Sequence, residues 1–195
     1  NPGPSVTPLP RRPRLKPHVV TVFGSSQPPP LSPPYQLAYE LGRAIAVEGW
    51  TLCNGGYGGT MEAAAKGALE AGGHTIGVTC HIFRRNGPNA YIKQEVPTFD
   101  LLTRLNILVR LGRAYVVLPG GTGTLLELAL VWELFNKRLL RRNSPIVLLG
   151  ENWAPLIDLV LHEQPESLRP HIAPGVSEAV HLLRANFSPS AYDEH

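Results

Sequence analysis

The stretch Val116-Val117-Leu118-Pro119-Gly120-Gly121-Thr122-Gly123-Thr124-Leu125-Leu126-Glu127 decides the fold of this chain. Its first residues form a short, β-branched apolar run, as a strand buried on both faces requires. The glycines that follow let the backbone turn sharply and leave amide N–H groups uncovered by side chains. The leucines and Glu127 then open a helix, whose positive end faces whatever sits above the turn. An anion, above all a phosphate, is the natural guest of Gly120, Gly121, Thr122, Gly123 and Thr124. Thr124-Leu125-Leu126-Glu127 also matches a capping box, in which the glutamate folds back on the helix start. Glu127 is therefore either a cap or a functional carboxylate. A carboxylate near a helix N-terminus is expected to stay ionised, because the dipole favours its anion.

The same order of strand, turn and helix recurs along the chain. Val19–Phe23, Thr51–Cys53, Thr75–Thr79, Ala114–Leu118 and Ile146–Leu149 read as strands. Helices are expected near 35–48, 60–71, 100–111, 123–136 and 153–162, with a last one carrying Val176, Ala179, Val180, Leu183 and Phe187 on one face. This alternation predicts an α/β fold: a Rossmann-like, doubly wound parallel sheet flanked by helices in three layers. In such sheets ligands bind beyond the carboxyl ends of the strands, at the switch in strand order. Three glycine-bearing loops converge there: Gly24-Ser25-Ser26, Asn54 to Gly59, and Pro119 to Thr124. Residues 80–97, with Arg84, Arg85, Asn86 and Gly87 at their centre, read as a long loop of functional type.

A chain of 195 residues, 43% hydrophobic and 17% charged, fits one compact domain. We expect it over 18–188, with tails at 1–17 and 189–195. The first tail is proline-rich and basic, carrying Arg11, Arg12, Arg14 and Lys16, and is expected to be disordered. Those four charges exceed the net +3 of the whole chain, so the folded remainder is close to neutral. Nucleic acid is therefore not the expected partner. No apolar run approaches the roughly 20 residues that cross a membrane, and no apolar leader is visible. Two cysteines without a secretory signal point to the reducing cytoplasm rather than to a disulfide framework. Cys80-His81 lacks a second ligand pair at zinc spacing, so no metal is expected.

Two further features concern chemistry. Arg104 lies in Leu101-Leu102-Thr103-Arg104-Leu105, a segment otherwise largely apolar. It either snorkels to solvent or is aimed at the phosphate or Glu127. The helix over 123–136 is apolar nearly all round, its only charges being Glu127 and Glu133. Such a helix is expected to be covered on both sides, either by a second copy of the chain or by another part of the same chain.

At these residues the chain resembles the Lonely Guy family of cytokinin riboside monophosphate phosphoribohydrolases, labelled in older usage lysine decarboxylase-like. Pro119 to Glu127 matches its Pro-Gly-Gly-x-Gly-Thr-x-x-Glu signature. Gly24 and Ser25 resemble its first phosphate-side loop, and Gly55, Gly56, Gly58, Gly59, Thr60 and Met61 its second. The resemblance implies a Rossmann-like homodimer, here through the helix over 123–136, that binds an AMP-like nucleotide without a cofactor. It implies cleavage of the N-glycosidic bond to give free base and ribose 5-phosphate, with Glu127 and Arg104 as the catalytic pair. Leu105 stands where the family has a lysine after that arginine. This marks a divergent branch and keeps a non-catalytic nucleotide-binding or carrier protein as the alternative.

Overall fold

The computed structural model describes residues 18–141 and 144–187. The expected tails at 1–17 and 189–195 lie outside the described residues. Seven strands form one parallel sheet: β1 (Val19–Phe23), β2 (Thr51–Asn54), β3 (Thr75–Cys80), β4 (Gln94–Thr98), β5 (Ala114–Val117), β6 (Ile146–Leu149) and β7 (His171–Ala173). Their order is β4-β3-β2-β1-β5-β6-β7, all neighbours parallel. The helices are α1 (Pro33–Val47), α2 (Thr60–Glu70), α3 (Leu101–Leu111), α4 (Thr122–Asn136), α5 (Ala154–Glu163) and α6 (Val176–Phe187). One core packs α1, α2 and α6 on one sheet face; the other packs α3, α4 and α5 on the opposite face. The predicted three-layer, doubly wound architecture is thus the observed one.

Two strands were not legible in the sequence. β4 lies inside the stretch 80–97 read as a long loop. It is an edge strand with three of its five residues exposed and Pro97 within it. Both features remove the apolar run by which buried strands are recognised. β7 is three residues long and pairs only with β6. The five strands that were legible are buried almost throughout.

The chain switches direction between β1 and β5, which pair from Val20↔Ala114 to Phe23↔Val117. That register sets Gly24 and Leu118 side by side at the top of the sheet. The Leu118 N–H donates to the Phe23 carbonyl at 2.8 Å. Next to this seam, α1 and α2 meet backbone to backbone. A Cβ on Gly42 would run into the Ala64 carbonyl, and one on Gly67 into the Tyr39 carbonyl. No rotamer change relieves a clash with backbone, so the helices would have to separate.

Gly42→Ala is accordingly expected to lower stability by about 1–3 kcal/mol. Gly123, whose Cβ direction is open and which lies inside α4, is expected to tolerate alanine with unchanged or raised stability. Thermal unfolding of the two variants beside the parent checks the contrast.

Candidate active site at the sheet switch point

α4 begins earlier than the capping-box pattern requires. Its N-cap is Gly121, and no side chain caps it. Glu127 therefore sits more than a full turn inside the helix and does not fold back on the helix start. That settles the ambiguity left by the sequence against the cap. Gly120 permits the tight turn that precedes the helix: a Cβ there would collide with the Thr124 hydroxyl. Thr124 is consequently tucked under the turn and buried, whereas Gly121, Thr122 and Gly123 are exposed along the cleft.

Arg104 is delivered by α3. Asp100 caps this helix, its carboxylate accepting from the Thr103 N–H and hydroxyl, each at 2.8 Å. One turn further on, Arg104 points inward and is only 5% exposed, so it does not snorkel. Its Nε donates to the Val78 carbonyl at 2.7 Å and its Nη2 to the Gly55 carbonyl at 3.0 Å. The remaining Nη1 lies 3.9 Å from Glu127 Oε1. That is an ion-pair distance but too long for a hydrogen bond. The rings of Tyr57 and Phe83 flank the guanidinium, with centroids at 5.5 and 5.2 Å. Gly55 is required for this approach, since a Cβ on it would occupy the position of Nη2.

The second glycine loop is held by its own side chains. Asn54, fully buried, accepts from the Gly56 N–H at 2.9 Å and donates to the Met61 carbonyl at 2.9 Å. Gly56 has φ +78° and Gly59 has φ +63°. A Cβ on Gly59 would strike the Ser25 carbonyl, which also accepts from the Thr60 N–H at 2.9 Å and the Thr60 hydroxyl at 3.1 Å. Gly24 has the same relation to the Thr60 hydroxyl. The first and second glycine loops are therefore locked to each other, with Thr60 as the bolt.

Together these elements enclose a cleft of about 370 Å³, in the range of small-molecule sites. Gly24, Ser25, Met61, Arg104, Gly121, Thr122, Gly123, Thr124 and Glu127 line it. Gly55, Gly56, Gly58, Gly59, Thr60 and Gly120 do not; they stand behind the wall and shape it. Ser26, Gln27, Tyr57, Phe83, Arg85, Leu101, Leu105 and Leu126 complete the lining. Phe83 and Gln27 carried no sequence signal, because no local pattern shows that separate loops fold over one cleft. Of the Cys80-His81 pair, Cys80 donates to the Phe99 carbonyl and His81 stacks on the Phe99 ring.

The electrostatics depart from the expectation of a fully ionised glutamate. Burial pushes the Glu127 carboxyl up to about 7, and Arg104 only partly offsets this. Burial likewise lowers Arg104, against the pull of Glu127. The physical reason is position. Glu127 lies beyond the first turn, where the helix dipole has faded, and 3.9 Å is too far for the guanidinium to replace lost water. The cleft thus combines exposed turn amides, a rigid buried cation and a carboxylate that titrates near neutrality. A carboxylate so tuned is suited to exchange protons or to stabilise a developing cation.

Comparison with known proteins matches this arrangement to a family. The SLOG cluster4 family profile matches residues 17–165. A cytokinin riboside 5′-monophosphate phosphoribohydrolase of Rhodococcoides fascians is 34% identical over 160 residues, covering 78% of this chain and 79% of that protein. One of the same name from Mycobacterium tuberculosis is 36% identical over 116 residues, covering 58% of this chain and 61% of that protein. Among solved structures, the molybdenum cofactor carrier protein of Chlamydomonas reinhardtii superposes with a TM-score of 0.72 at 26% identity, covering 89% of this chain and all of that one. The profile match spans β1 to β6, the glycine loops and the Arg104–Glu127 pair, and the chain belongs to the SLOG cluster4 family, of the Lonely Guy type.

Proposed function

We propose that the protein hydrolyses the N-glycosidic bond of a purine-type nucleoside 5′-monophosphate, AMP or an N6-modified AMP, giving free base and ribose 5-phosphate. The observation that carries this reading is the Arg104–Glu127 pair beside the exposed amides of Gly121, Thr122 and Gly123 in one cleft. The turn amides and Ser25 receive the phosphate. Ionised Glu127 faces the anomeric carbon, stabilises the cationic ribosyl centre as the bond to the base breaks, and orients the attacking water. The water's hydroxyl ends on the sugar, and its remaining proton balances the departing base. Arg104, fixed by two carbonyls, holds Glu127 at a set distance without neutralising it. The step uses no metal or redox cofactor, and on this reading the protein works in the cytoplasm on a nucleotide. The relatives named for this activity in Rhodococcoides fascians and Mycobacterium tuberculosis support the reading.

A second reading, a non-catalytic nucleotide-binding or carrier protein, is favoured by one observation in the cleft. Leu105 is buried against it where a cation accompanies the arginine in the family signature. The structural likeness to a protein named as a cofactor carrier supports the same alternative.

The working unit we propose is a two-fold dimer through α4. Leu128, Val131 and Trp132 face the core, whereas Leu125, Leu126 and Ala129 are exposed on the other side of the helix. No other described part of the chain covers them. Phe99 and Leu102, 70% and 77% exposed, stand at the start of α3. An apolar surface of this kind marks an interaction site.

Four measurements test these statements. Incubation with AMP and N6-modified AMP is expected to release free base. Glu127→Gln is expected to abolish release while nucleotide binding persists; release by neither protein, with binding intact, favours the carrier. In the parent, kcat/KM is expected to rise with pH through about 7, as Glu127 loses its proton. Stability should move the opposite way. A raised folded-state carboxyl binds its proton more tightly than the unfolded chain does, so ionising it costs stability as pH rises from the usual carboxylate range to about 7. Glu127→Gln, which removes that cost, should therefore gain in melting temperature over the parent at pH 8 and not at pH 4. Sedimentation equilibrium is expected to give twice the chain mass for the parent and the single mass for Leu102→Glu.

A further inference from the structure

Arg85 is the cation of the cleft that the proposed reaction leaves unused. It lies in the connection from β3 to β4, and a sequence of local devices holds it over the site. A single 3-10 turn, His81–Phe83, follows β3. Arg84 then adopts φ +50°, a left-handed conformation uncommon outside glycine, and reverses the chain. Beyond it, Gly87 has φ +75°. Asn89 clamps the far side of the reversal to the second glycine loop. Its N–H donates to the Gly56 carbonyl at 2.7 Å, and its side-chain amide donates to the Tyr57 carbonyl at 2.8 Å and to the Gly56 carbonyl at 3.2 Å.

The Arg85 guanidinium rests on the Tyr57 ring, 4.7 Å from its centroid. Tyr57 is itself rigid: buried, its hydroxyl accepts from the Cys80 N–H at 2.7 Å and donates to the Cys80 carbonyl at 3.2 Å. Arg85 is exposed, yet it lines the cleft. Among the described residues, no carboxylate pairs with it and no acceptor takes its N–H donors. Arg104, by contrast, spends Nε and Nη2 on backbone carbonyls and turns Nη1 to Glu127. The charged residues lining the cleft are thus two arginines against one glutamate. Only Arg85 has its whole donor edge open. A guanidinium seated over an aromatic ring, with no acceptor on its N–H groups, keeps its donors available, and that fork matches the oxygens of a phosphate.

We propose that Arg85 is a specificity-determining residue of this cleft, the one that makes it prefer a phosphorylated ligand over the same ligand without its phosphate. The inference rests on the nucleotide reading above and deepens it. The turn amides accept the phosphate through neutral donors; Arg85 supplies the full positive charge that separates a nucleotide from a nucleoside.

The test is calorimetric titration of the parent, Arg85→Ala and Arg85→Lys with four ligands: AMP, adenosine, ribose 5-phosphate and ribose. The parent is expected to bind each phosphorylated ligand more tightly than its unphosphorylated partner. Arg85→Ala should weaken AMP and ribose 5-phosphate by roughly ten- to a hundredfold, the worth of one or two hydrogen bonds to a charged group, and leave adenosine unchanged. Arg85→Lys should recover part of the loss, since it restores charge without the fork. Arg85 is exposed, so matched melting curves are expected. Equal affinity of Arg85→Ala and the parent for AMP overturns the proposal, as does an equal loss for AMP and adenosine. A parent with no preference for the phosphorylated ligands overturns both this proposal and the nucleotide reading. A parent that shows the preference, loses it in Arg85→Ala and yet releases no base upholds the role of Arg85 and overturns only the hydrolase.

Discussion

A single buried guanidinium ties this site together. Arg104 belongs to α3, bonds a carbonyl of β3 and a carbonyl of the second glycine loop, and faces a carboxylate of α4. A charge removed from water is costly unless it is paired and hydrogen-bonded. Here two backbone carbonyls bear most of that compensation, which leaves the carboxylate uncommitted. The surrounding structure follows from this requirement. Gly55 must lack a side chain, Asn54 must brace the loop beneath it, and the Val78 carbonyl must lie within reach of α3.

The consequence for Glu127 is chemical. Had Arg104 closed to hydrogen-bond distance, the carboxyl would be held ionised and engaged. At 3.9 Å in a buried setting it is raised to about 7 instead. The cleft therefore carries a carboxylate whose proton is exchangeable near neutrality, beside amides suited to an anion and a cation that does not quench it. Arg85 adds a second positive charge from the connection after β3, against the same aromatic ring that flanks Arg104. Charge in this site is thus layered. A structural cation lies inside, a titrating carboxylate sits beside it, and an uncommitted cation stands at the rim.

Leu105 and the apolar faces of α3 and α4 give the other half of the site its character. Leu101, Leu105, Leu126 and Met61 supply apolar side chains to the lining of the cleft. The exposed side chains of Leu102, Leu125 and Phe99 lie on the same helices, α3 and α4, or immediately before them. The two helices that present Arg104 and Glu127 also present exposed apolar side chains.

The layering of strands and helices was legible from the sequence because a buried parallel strand must be apolar along its length, and five segments satisfied that rule. The signature of Pro119 to Glu127 was legible for a similar reason: a sharp strand-to-helix turn needs glycine locally. Where environment rather than local pattern decides, the sequence was silent or ambiguous. β4, half-exposed and containing Pro97, had no apolar pattern to show. Thr124 and Glu127 had the spacing of a cap, and only the start of α4 at Thr122 removed it. Gly59 and Thr60 were recognisable from the second glycine motif, but their task is to lock that motif to the first loop. Glu127 could be placed near an anion site by counting along a helix. Its raised carboxyl, and the partnership with Arg104 across four elements, depended on burial and on distance between remote residues, and those are set only when the sheet closes.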